Sequence, residues 1–184
     1  MTTAPQALPR AARRVAVPTS HTGRVAALWA LTGALTGVGV LLGILVPSTA
    51  PAGTPHATLT GTPGEALSIL VHNMRVLAAP LILAAARWGT GPITRLLGDA
   101  IVASTLLASP LLVGAALGRH GTELVPYLPH LPLEWAALSV ATAAWLAARK
   151  HRLEAAPLAA YAGIAIGLAT AAALIETLAI PHAS

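Results

Sequence analysis

The stretch that decides the fold is Val25 to Val46, VAALWALTGALTGVGVLLGILV, which contains no charged residue. At helical rise about 22 residues cover about 33 Å, enough to cross the roughly 30 Å hydrocarbon core of a bilayer. The 184 residues are 55% hydrophobic and 9% charged, with a mean hydropathy of +0.73. That is more apolar material than one soluble core of this length buries, so lipid must supply the missing apolar solvent. Ser48-Thr49-Ala50 and Ala50-Pro51-Ala52, just after the run, imitate the cleavage sites of a signal peptide. The run is longer than a signal-peptide core, and Pro51 follows the first of those sites, so a retained helix is expected.

Working outward, residues Met1 to Arg24 are polar and carry Arg10, Arg13, Arg14 and Arg24, a basic tail with the composition of a disordered segment. Pro47 to Gly64 is a loop rich in Pro, Gly and Thr. Four further apolar segments follow: Leu67 to Ala86, Leu96 to Gly118, Leu131 to Ala148 and Ala156 to Ile180. The fold expected is all-α, a polytopic membrane bundle of about five transmembrane helices. It divides into a tail over 1–24, a membrane domain over 25–180 and a short outer tail over 181–184. Pro80 and Pro110 lie inside two of these spans as kinks that neighbouring helices can accommodate.

The basic residues then set the orientation. The tail arginines, Arg87 and Arg95 after the second span, and Arg149, Lys150 and Arg152 after the fourth all fall on one side of a five-span model. Only Arg119 falls opposite. By the positive-inside rule the amino terminus is inside, in a multi-pass protein of the cell membrane. The net charge of +5 is explained by that rule. It does not mark a nucleic-acid binder, because no basic stripe with interleaved aromatics is present. There is no cysteine, which excludes disulfides, thiolate metal sites and cysteine nucleophiles.

Small-residue pairs at four-residue spacing recur: Gly33/Gly37, Gly39/Gly43, Gly114/Gly118 and Gly163/Gly167. They permit close helix approach, within one chain or between copies of a homo-oligomer, and a chain this rich in Gly and Ala also produces such pairs by chance. No long internal repeat supports an inverted-repeat transporter.

Ionisable residues inside the spans are costly, about 2.5 to 3.5 kcal/mol at the bilayer centre, and each needs a reason. Counted from the span boundaries, His72, Asn73, Arg75, Glu134 and Glu176 all fall in the outer half. Glu176 heads the small-residue face Ala172, Ala169 and Ala165. These residues, with His130, are expected to form an outward-facing polar cluster, either an Arg75–Glu pair that keeps two helices in register or a functional pocket. Glu134 also suits the dipole of a helix's first turn, as does Asp99 at the inner boundary. His120 and His130, with Glu123 and Glu134, are the residue types of an oxygen and imidazole metal site. Pro132 between His130 and Glu134 argues against one continuous helix presenting both, so no metal and no cofactor are assigned. Pro126, Tyr127, Pro129 and Pro132 read as a stiff interfacial segment, with Trp135 and Trp145 bracketing the fourth span. Phosphate loops, nucleophile elbows and zinc-protease helices are absent, so the expectation leans away from an enzyme.

The stretch Tyr127-Leu128-Pro129-His130-Leu131-Pro132-Leu133-Glu134-Trp135 resembles the stage II sporulation protein M family of membrane proteins, whose pattern is Leu-Pro-His-Gly, two apolar residues, Glu. Leu128, Pro129, His130 and Glu134 match that pattern at the same spacing, and Leu131 stands where the family has Gly. His72-Asn73-Met74-Arg75 and Leu174-Ile175-Glu176 are similar to the family's Asn-containing helix start and acidic helix end. Gly98-Asp99 stands roughly where the family commonly has an Asn-Gly pair. The resemblance covers about Leu67 to Ile180. It implies a multi-helix membrane scaffold or accessory subunit partnering other membrane or cell-wall-associated proteins, as in sporulation and cell-wall remodelling, with the cluster residues maintaining its outer side. The alternatives are a permease-like subunit and a membrane-embedded enzyme using His130 and Glu134.

Overall fold

A computed structural model describes residues 19–46, 62–86, 91–121, 124–125, 128–150 and 153–179. The tail arginines Arg10, Arg13 and Arg14, most of the first loop, Arg87, Glu123, Pro126, Tyr127, Arg152 and the 181–184 tail lie outside the described residues. The chain forms five helices: α1 (Thr19–Leu45), α2 (Pro63–Ala85), α3 (Pro92–His120), α4 (Leu131–Ala148) and α5 (Ala155–Ala179). All five are long and apolar enough to cross a membrane, and no strand occurs among the described residues. The all-α bundle is as expected, and its outward faces require a lipid bilayer: Leu41, Ile44, Ile82, Ile93, Leu96, Leu112 and Leu178 all point away from the protein.

Three helices begin well before the apolar runs indicate: α1 at Thr19, α2 at Pro63 and α3 at Pro92. At α2, Thr62 accepts the Glu65 N–H and the Glu65 carboxylate accepts the Thr62 N–H, a reciprocal capping box that starts the helix at Pro63 instead of Leu67. At α3, Pro92 opens the first turn. Its missing N–H and fixed φ suit that position. Asp99 therefore lies two turns inside α3, beyond reach of the dipole stabilisation expected for a first turn. Gly121, at φ 60°, closes the same helix in a conformation other residues rarely adopt.

Helix α4 is apolar all round, and such a helix belongs inside a bundle. Ala137, Leu138, Val140, Ala141, Ala143, Ala144 and Trp145 are all buried. The α5 face Ala165, Ala169 and Ala172 packs inward as expected, each at most 1% exposed. Helix α1 runs parallel to α3, joined through two of the glycine pairs. A Cβ on Gly39 would lie 2.4 Å from the Leu111 carbonyl oxygen, and one on Gly114 would lie 2.2 Å from the Thr36 carbonyl oxygen. Gly43 and Gly118 are equally tight. Only hydrogen at Cα allows this approach. Gly33, Gly37, Gly163 and Gly167 meet nothing within 4 Å, so two of the four pairs pack within the chain and two do not.

The alternation of helices places Arg24, Arg95, Arg149 and Lys150 at one end of the bundle, here termed the basic end, and Glu134 and Glu176 at the other, the acidic end. At the basic end the Arg149 guanidinium meets the Asp99 carboxylate at 2.8 Å. The Trp145 indole N–H donates to the same carboxylate at 2.9 Å. Gly98 leaves room for the Trp145 ring, which a Cβ there would strike at 2.5 Å.

Candidate functional site

The acidic end is built from three separate pieces of chain. His130 is the residue before α4, with helical backbone angles (φ −80°, ψ −25°), and its carbonyl accepts the Glu134 N–H at 3.2 Å. Pro132 is the second residue of that helix. A proline there removes only an N–H that has no intrahelical acceptor, so the turn stays intact. His130 and Glu134 are consequently presented on one side, with Nε2 and a carboxylate oxygen 4.0 Å apart. This corrects the expectation that Pro132 interrupts the helix between them.

Helix α5 brings in Glu176, whose carboxylate oxygen lies 3.8 Å from the same Nε2. One ligand atom from each of His130, Glu134 and Glu176 falls within 4.8 Å of the others. From α2, the Asn73 amide donates to the second Glu134 oxygen at 2.5 Å. These groups share a cavity of about 500 Å³ whose lining includes His72, Asn73, His130, Glu134, Trp135 and Glu176.

Of the residues marked out from sequence, the structure brings together His72, Asn73, His130, Glu134 and Glu176. Arg75 lies outside the cavity lining, with its side chain exposed. The geometry of α2 explains the difference. Asn73, Leu77, Pro80 and Ala84 form its packed face, and two residues of helix turn Arg75 by about 200° from Asn73. Helical side chains lean toward the amino terminus, which for α2 is the acidic end, so the guanidinium can snorkel to the headgroup layer on that side. Asp99 belongs to the basic end. His120 closes α3 and is not among the lining residues.

Removing Arg75 changes the electrostatics. Among the described residues neither Lys nor Arg lines the cavity. Burial lowers the pKa of His130 below its usual 6.5, so the imidazole is neutral near pH 7 and supplies no positive charge. Its hydrogen bonding is incomplete too: His130 is 8% exposed, its Nδ1 is buried without a partner, and Nε2 is too far from either carboxylate for a hydrogen bond. The Trp135 indole N–H beside it is likewise buried and unpartnered.

Ser68 and Ser109 also line the cavity. Sequence reasoning missed both, since a serine within an apolar helix carries no signal of its own. Trp135, expected as an interfacial anchor, forms part of the wall instead. Comparison of the chain with protein-family models, with curated proteins and with solved structures finds no match.

Proposed function

We propose that this chain is an integral membrane accessory or scaffold protein that recognises a cationic group in the cavity at its acidic end. One observation carries the reading: two glutamates from different helices face one another across His130, with no Lys or Arg among the described lining residues. A polar cluster that served only to hold helices would match opposite charges, as Asp99 and Arg149 do at the other end. Two carboxyl groups brought together beside a cavity in a membrane interior, without Lys or Arg, are relieved either by sharing a proton or by a counter-charge from elsewhere. The resemblance of the His130–Glu134 stretch to stage II sporulation protein M supports the accessory class and a partner in the membrane or cell wall. The distribution of basic residues supports an outer-side cavity by the positive-inside rule.

The direct test uses full-length protein in lipid nanodiscs and a spin-labelled alkylammonium ion. The wild type should immobilise the probe, and Glu134→Gln/Glu176→Gln should not. Equal immobilisation by both, or by neither, contradicts the reading. The open cavity also favours a second reading, a permease-like subunit. Sealed vesicles separate the two, because an accessory protein retains the probe on the side of addition and a permease releases it across the membrane.

A further inference from the structure

We infer that His130, Glu134 and Glu176 form a binding site for a divalent transition-metal ion, with zinc as its best-matched occupant. The inference rests on the cation-recognising reading above and names the cation. Three features of the site point to a metal ion over an organic amine.

The donor set is one imidazole and two carboxylates. Nitrogen and oxygen donors of this kind suit zinc and its neighbours in the first transition row, and three protein donors leave a fourth position open to water or to a partner's side chain. The three residues come from the turn before α4, from α4 and from α5, so an ion would tie the end of the central helix to its neighbour.

The spacing is close to what coordination needs. In a tetrahedral site with bonds of about 2.0 to 2.1 Å, donor atoms lie about 3.3 Å apart. The Nε2 to oxygen distances are 4.0 and 3.8 Å, so each side chain has to move by only a fraction of an ångström, well within rotamer adjustment. These distances are too long for direct hydrogen bonds.

The imidazole supplies the independent observation. It is more than nine-tenths buried, and neither ring nitrogen makes a hydrogen bond among the described residues. Burying an imidazole in this way is costly unless something satisfies it. Nε2 lies nearest both carboxylates, where an ion would take its lone pair; Nδ1, the orphaned nitrogen, needs a partner of its own beyond the ion. Asn73, donating to the second Glu134 oxygen, fixes the orientation of that carboxylate, as residues behind a metal ligand commonly do.

The experiment uses full-length protein purified in detergent, stripped with chelator, reloaded with Zn2+ and desalted. Elemental analysis should find one zinc per chain in the wild type, and Glu176→Gln and His130→Gln should each weaken retention at least tenfold. Because a variant could fail to fold, the wild type is also loaded with Co2+, whose visible bands should show the intensity of a four-coordinate site. If zinc is not retained while the alkylammonium probe still binds in a glutamate-dependent way, the metal inference is overturned and the cation reading stands. If neither binds, both fall. Zinc retained equally by the wild type and both variants, or a six-coordinate cobalt spectrum, also overturns the metal site.

Discussion

The two ends of this bundle use ionisable groups in opposite ways. At the basic end Asp99 is satisfied twice, by the Arg149 guanidinium and by the Trp145 indole, and Gly98 lets the ring lie flat against α3. Charge is neutralised and space is filled. At the acidic end Glu134 and Glu176 flank one histidine beside an open cavity, and the Asn73 amide donates to Glu134 alone. The difference is one of satisfaction: around Asp99 the protein closes the site with its own counter-charge. Where the counter-charge is left out, the site is available to something else.

Substitutions at the two ends should therefore behave differently. The largest effect belongs to Asp99→Ala, which strands a partly buried guanidinium and an indole N–H together. Thermal unfolding in detergent should show a loss of about 2 to 4 kcal/mol. Gly98→Ala at the same end forces a methyl group into the Trp145 ring and should cost about 1 to 3 kcal/mol, with Trp fluorescence reporting the displaced indole.

The acidic end offers a pH signature. The folded protein holds His130 neutral below its ordinary 6.5, whereas the unfolded chain takes up a proton there. Stability contributed in this way is present above about pH 6.5 and is lost as pH falls toward the lowered folded value, at up to about 1.4 kcal/mol per pH unit. His130→Gln should flatten that part of the curve. An unchanged acid limb in the variant would show that His130 is not the group responsible. The smallest effect is expected for Glu176→Gln. It removes one of two uncompensated carboxylates, so stability should change by less than about 1 kcal/mol and in the favourable direction, in contrast to Asp99→Ala.

Much of the fold was legible in the sequence because the membrane signal is one of length and hydropathy, which Val25 to Val46 states outright. Helix starts were less legible. The capping box at Thr62 and Glu65 and the opening Pro92 lie outside the apolar runs, and missing them placed Asp99 in a first turn that it does not occupy. The site was half legible. His130, Glu134, Glu176 and Asn73, each singled out in the sequence, meet at one end of the bundle. Arg75 was grouped with them on depth alone, whereas depth fixes only one coordinate. The angular position around α2 decides which residues meet, and it turns Asn73 inward and Arg75 outward. Pro132 misled for a related reason: its effect depends on where in the helix it falls, and at the second position it interrupts nothing.

The natural absence of cysteine allows the central claim, that the acidic end is an open site with unbalanced negative charge, to be measured directly. Single cysteines at Ser109 on the cavity wall and at Val102 in the packed basic half are exposed to cationic trimethylammonioethyl methanethiosulfonate and to its anionic sulfonatoethyl counterpart. Ser109→Cys should react faster than Val102→Cys and should favour the cationic reagent, and that preference should vanish when Glu134→Gln and Glu176→Gln are added. Equal reactivity at the two positions, or no preference between the reagents at Ser109→Cys, would contradict the account.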